Sequence, residues 1–111
     1  MRNLFSIVIP VLNQKKYIKE CLNSILIQNY KNYEIIVVDG NSKDGTLKIL
    51  KEYKYKFKNK MIIKVNEKLS QACAINYGLR VAKGNWVTWQ NADDKYFDSN
   101  SLLILNEFIN K

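Results

Sequence analysis

The 111-residue chain contains no histidine. That excludes a Ser-His-Asp triad, a His general base and any His-ligated zinc site. Its two cysteines, Cys21 and Cys73, stand far apart among apolar neighbours. Such spacing is neither a disulfide framework nor a zinc site, so a reducing compartment is expected. Cys73 reads as an ordinary small buried residue. One Pro and four Gly are too few for a flexible linker or a collagen-like repeat. No apolar run approaches the ~18 residues of a membrane span. Residues 1–10 lack the long apolar stretch and small-residue cleavage site of a signal peptide. Arginine is scarce, with two against sixteen Lys, and five Asp and five Glu leave a net charge of +8. The lysines accompany abundant Asn and Ile, a composition an AT-rich coding sequence also produces, so the charge is weak evidence for a nucleic-acid partner.

What remains is globular. Hydrophobic residues make up 47% and charged residues 25%, and one domain is expected over residues 1–111. A chain of this length buries roughly 65% of the surface its unfolded form exposes, enough for a core. Residues 5–10 (FSIVIP) and 34–39 (EIIVVD) read as buried strands, and 61–65 and 86–89 as a third and a fourth strand. Residues 17–26, 46–56, 71–81 and 102–109 carry apolar side chains at helical spacing. Asn13 is a candidate cap for the first helix, and Gly84 lies just past the third. The stretch 54–60 reads as basic and solvated. The order β-α-β-α-β-α-β-α implies a mostly parallel sheet with helices on both faces.

Ligands of open α/β sheets bind beyond the carboxyl ends of the strands, and the polar residues of this sequence collect there. Pro10 and Asn13 follow the first strand, and Asp39 ends the second, ahead of the loop Gly40 to Thr46. Glu67 and Lys68 follow the third, and Asn91, Asp93 and Asp94 the fourth. Asp39 either caps a turn or accepts hydrogen bonds from a nucleotide base or ribose. Its loop, with Gly and small polar residues such as Asn41, suits close approach of a ligand. The Asp93–Asp94 pair either ends a turn in solvent or forms a hard-cation site with substrate phosphates. No G-x-G-x-x-G follows the first strand and no Walker motif is present. Lys43, Lys68 and Arg80 read mainly as solvated surface. Trp86 and Trp89 read as core and sheet-face packing rather than a stacking platform. Tyr30, Tyr33, Tyr53, Tyr55 and Phe57 alternate partly with Lys, which fits a half-exposed helix as well as nucleic-acid contact.

Taken in order, the motifs resemble the opening of a family-2 glycosyltransferase with the GT-A fold. FSIVIPVLNQKKYIKECLNSILIQNY resembles the family's first strand and helix, with its Pro10-x-x-Asn13 pair. YEIIVVDGNSKDGT resembles the second strand and Asp-rich loop. AINYGLRVAKGNWVTWQNADD resembles the third helix, the A-x-G-x-W strand and the acidic motif. Together they cover nearly all of residues 4–98. The resemblance implies a Rossmann-like first half of a GT-A domain, a nucleotide-sugar donor, commonly a UDP-sugar, and Mg2+ or Mn2+. By it, Asp39 contacts the base, Pro10 and Asn13 shape the wall of that site, and Asn91 meets the ribose where many members carry Asp. Asp93 binds the metal through the diphosphate, with Asp94 beside it as the second candidate. Lys68, Ser70 and Cys73 stand where a similar subgroup carries an acid, a Gly and an Asp, a change that bears on donor choice and turnover.

In the family, the general base and the acceptor site come from the second half of the domain. Asp98 and Glu107 have ordinary surface readings and are not assigned as the base. The expectation is therefore a nucleotide-sugar-binding domain over residues 1–111, lacking the acceptor-binding half and inactive or very weak alone. A saccharide or lipid-linked acceptor would bind through the missing half, and uncovered sheet edge would favour a homodimer or a partner chain. The expected location is cytoplasmic, peripheral at the inner membrane face. Competing readings are a non-catalytic assembly module on the same fold and, less favoured, a basic nucleic-acid-binding protein.

Overall fold

In the computed structural model, which describes residues 2–66 and 70–111, strands and helices alternate as the sequence predicts. They are β1 (Phe5–Val11), α1 (Ile18–Leu26), β2 (Tyr33–Asp39), α2 (Thr46–Phe57), β3 (Met61–Val65), α3 (Gln71–Val81), β4 (Trp86–Trp89) and α4 (Ser101–Ile109). The four strands form one parallel sheet in the order β3-β2-β1-β4. β1 and β2 lie at its centre, paired from Phe5↔Tyr33 to Val11↔Asp39. This is a Rossmann-like α/β arrangement.

The period-two pattern of the central strands sorts the helices into layers. Phe5, Ile7, Ile9 and Val11 of β1 and Ile35 and Val37 of β2 point to one face, where they pack with Ile18, Leu22 and Ile25 of α1, Leu50 of α2 and Leu102 of α4. The alternate residues Val8, Ile36 and Val38 point to the other face and meet Ala74 of α3. Gly78 makes that second contact possible. A Cβ there would lie 2.5 Å from Val8 Cγ1.

Buried polar groups fasten α4 to the first layer. Gln28, fully buried, donates from Nε2 to the Asp98 carbonyl at 2.6 Å and accepts the Leu102 N–H at 3.0 Å. It thus satisfies one of the helix's orphan N–H groups, as a capping side chain would. Asn106 accepts from Asn3 Nδ2 at 2.9 Å, tying the far end of α4 to the start of the chain.

Four expectations need correction. Asn13 does not cap α1; the helix starts at Ile18, and Asn13 sits in the left-handed region (φ 51°). The stretch 54–60 is not all solvated, because Phe57, the last residue of α2, is buried. Cys73 is exposed, because α3 buries only the narrow Ala74–Gly78 stripe. Trp86 and Trp89 are 48% and 54% exposed, because β4 is an edge strand of the described sheet. Glu67 and Lys68 lie outside the described residues.

Candidate functional site

The carboxyl ends of β1 and β2 are joined by a dense latch. Ser42 Oγ, buried, donates to Asp39 Oδ1 at 2.6 Å and accepts the Asn13 N–H at 2.9 Å. The Ser42 N–H donates to Asp39 Oδ2 at 2.7 Å, so both carboxylate oxygens are engaged by one residue. This is the turn-capping geometry that Asp offers at a strand end. Asp39 itself is fully buried. The next two N–H groups of the first loop are also taken by side chains of the second. Gln14 N–H donates to Thr46 Oγ1 at 3.0 Å, and Lys15 N–H to Asp44 Oδ2 at 3.1 Å. Asn13 reciprocates, its Oδ1 accepting the Lys43 N–H at 2.8 Å. The hydrogen bond from the Thr46 hydroxyl is the main cause that holds the Asp44 carboxyl below the usual range. Ser42, Asp44 and Thr46 were not among the sequence-predicted site residues. Their signal was three oxygen-bearing side chains within seven positions of a strand end.

The β4 end is shaped differently. Residues 91–94 form a turn in which the Asp94 N–H donates to the Asn91 carbonyl at 3.1 Å. The same carbonyl accepts the Cys21 thiol at 3.7 Å, pinning the turn to α1. Burial, aided by Asp94 and then Asp93, pushes the Cys21 thiol up to about 12, so it remains a donor at neutral pH. Ala92 is buried, whereas Asn91, Asp93 and Asp94 stand exposed on the turn. Asn91 Nδ2 lies 3.4 Å from Asp94 Oδ2, and Gln71 Nε2 lies 3.4 Å from Asn91 Oδ1.

Between these two structures lies an open cleft of about 520 Å³. Pro10, Val11 and Leu12 form one wall, with Val38 and Gly40 beside them. Ser70, Gln71 and Ala74 bring in the first turns of α3, and Asn91, Ala92 and Asp93 close the other side. The chain passes from β1 to β2 and β3 on one side of the sheet and then returns to place β4 on the other side of β1. The cleft therefore lies where strand order reverses, the usual ligand crevice of such sheets. Of the sequence-predicted residues, Pro10, Asn91 and Asp93 line the cleft together, and Asn13, Asp39, Asn41 and Asp94 are not among its lining residues. Asn13 and Asp39 instead hold the adjoining loop. Asn41 sits in the left-handed region (φ 71°) within that loop.

A divalent cation bound through substrate phosphates needs only one or two protein carboxylates. No group of three or more His, Cys, Asp or Glu able to hold a metal exists among the described residues. Asp93 lines the cleft and Asp94 follows it on the same turn, both exposed.

Sequence comparison gives the family. The profile described as "Glycosyl transferase family 2" matches residues 6–111, and the chain belongs to that family. An uncharacterized glycosyltransferase of Rickettsia typhi is 39% identical over 111 residues, covering 97% of this chain and 34% of its own. The poly(ribitol-phosphate) beta-glucosyltransferase of Bacillus spizizenii is 40% identical over 102 residues, covering 88% of this chain and 16% of its own. Among solved structures, S. aureus TarS 1-349 in complex with UDP-GlcNAc superposes with a TM-score of 0.84 at 32% identity, over 96% of this chain and 31% of that one. The Pyrobaculum calidifontis mannosyltransferase in complex with GDP-Man and Mn2+ gives a TM-score of 0.83 at 27% identity, over 92% of this chain and 31% of that one. The chain thus spans about a third or less of the length of these relatives.

Proposed function

We propose that the chain forms the nucleotide-diphosphosugar-binding part of a metal-dependent, inverting glycosyltransferase with a UDP-sugar as donor. The observation that carries this reading is the cleft at the strand-order reversal, with Asn91 and Asp93 on one wall and Pro10 on the other. In this reading Asp93 holds Mg2+ or Mn2+ against the donor diphosphate, with Asp94 as the alternative ligand. The bound ion would neutralise charge on the leaving diphosphate. Asn91 hydrogen-bonds the ribose. The base meets the loop that Asp39 anchors through Ser42, with Asn41 in that loop. Pro10 and Asn13 shape the wall behind it. UDP is favoured over other nucleotides by the family resemblance and by the UDP-GlcNAc complex of TarS. The Mn2+ of the mannosyltransferase complex supports the metal.

The acceptor, a saccharide or a lipid-linked saccharide, is assigned to the part of the relatives that this chain does not match, and the general base with it. That base would take the proton of the acceptor hydroxyl as its oxygen attacks the anomeric carbon. The 111 residues alone are accordingly proposed to bind donor with little or no turnover. The proposed location is the cytoplasm, peripheral at the inner membrane face; no helix among the described residues is long and apolar enough to cross a membrane. Calorimetric titration of UDP, GDP and dTDP in the presence of manganese tests the donor assignment. UDP binding at least tenfold tighter than the other two is expected, and equal or absent binding of all three would remove it.

A second reading has its own observation. β4 presents an unpaired edge with Trp86, Val87 and Trp89 all exposed. Such an edge fits an assembly module, covered by a second copy or a partner chain.

A further inference from the structure

The positive charge of the molecule is concentrated on one element. Residues 46–60 hold six Lys and one Glu, five of the chain's eight net charges. α2 turns Ile49, Leu50, Tyr53 and Phe57 inward, where they are buried. Helical spacing then places Lys48, Lys51 and Tyr55 along its outer side, with Glu52 exposed beside them and Lys58 just past the helix end. Lys51, Lys54, Tyr55 and Lys58 line a shallow groove of about 630 Å³. Tyr55 is 87% exposed among them. The single ion pair among the described residues, Lys95–Glu20, lies elsewhere. Lys54 donates to the Met61 carbonyl and Lys56 stacks over Tyr53. Lys48, Lys51 and Lys58 have no such partner among the described residues.

We propose that this outer face of α2 docks on an anionic membrane surface, with Lys48, Lys51 and Lys58 meeting lipid phosphates and Tyr55 seated at headgroup level. A surface on which the exposed lysines outnumber its one acid, Glu52, suits a broad anionic plane, and a lone exposed tyrosine suits the interface, where its ring is part apolar and part polar. Single-stranded nucleic acid is less well served, because it needs successive stacking rings, and Tyr53 and Phe57 are buried. The inference names the surface behind the peripheral location proposed above. It does not rest on the donor cleft, so loss of vesicle binding with UDP binding intact separates the two.

Flotation with phosphatidylcholine vesicles, with and without phosphatidylglycerol, tests it on the full chain. Binding is expected only with phosphatidylglycerol and is expected to weaken steeply with salt. Lys51→Gln/Lys58→Gln should weaken partitioning roughly 25-fold, at roughly fivefold per lysine near the surface. Tyr55→Ala should weaken it further at unchanged charge. The charge-matched control Lys19→Gln/Lys111→Gln should fall less than half as far on a logarithmic scale. Circular dichroism confirms that each variant is folded. Equal loss in the control, no binding to anionic vesicles, or a Lys51/Lys58-dependent oligonucleotide affinity exceeding that for vesicles would each overturn the proposal.

Discussion

Ser42 governs the geometry beside the cleft more than the acidic residue it serves. Its hydroxyl bridges Asp39 and the Asn13 N–H, so two loops from different strands share one atom. Asp44 joins the same two loops with separate oxygens, Oδ1 to the Thr46 hydroxyl and Oδ2 to the Lys15 N–H. The Asp44 carboxyl is held below its ordinary range, chiefly by the Thr46 hydroxyl. A group with a lowered folded pKa adds stability that is complete above its unfolded value and is lost as pH falls through the folded one. Asp44→Asn should therefore flatten the acid limb of the stability profile and leave the neutral plateau lower, as measured by urea unfolding across pH. At this scale the sequence was half legible. Strand ends named Asp39 and Asp93, but a side chain's partner depends on what a second loop brings to it. The bonds that Ser42, Asp44 and Thr46 make to the first loop span about thirty residues, and no local pattern announces them.

The elements were the most legible level, for a physical reason. FSIVIP and EIIVVD are apolar on both faces, which only a central strand of a two-sided sheet can satisfy. The helices between them had one apolar stripe each, and burial followed those stripes in α1 and α2. α3 differs, because small residues rather than large ones make its contact, and that contact sets the height of Ser70 and Gln71 over the cleft. Gly78→Ala would push a methyl group to 2.5 Å from Val8. Overpacking of this kind costs ~1–3 kcal/mol, against a helix-propensity gain of ~1 kcal/mol. A net loss of stability, with weakened nucleotide binding as α3 lifts, is the expected outcome of denaturant unfolding and titration. The tryptophans of β4 were misread because pattern alone does not reveal a strand's place in the sheet order. A four-residue WVTW run reads the same at an edge as at the centre.

For the molecule as a whole, the parallel order β3-β2-β1-β4 produces both the cleft and the exposed edge. The chain matches about a third of its relatives' length, and its open β4 edge carries Trp86, Val87 and Trp89. Sedimentation velocity should show self-association that falls when Trp89 is replaced by Lys, since a charge on an edge strand opposes pairing. A monomer at all concentrations would remove the second-copy reading. Charge asymmetry was visible in the lysine count, but the shared outer side of Lys48, Lys51 and Tyr55 required the fold.

The central claim is a donor site in which Asp93 holds a metal against a nucleotide diphosphate. Its most direct test is the calorimetric titration of UDP with and without manganese, on the wild type, Asp93→Ala and Asp94→Ala. The account predicts manganese-dependent binding that weakens at least tenfold in Asp93→Ala and less in Asp94→Ala, with both variants retaining wild-type circular dichroism. UDP binding that is indifferent to manganese and unchanged in Asp93→Ala would contradict it.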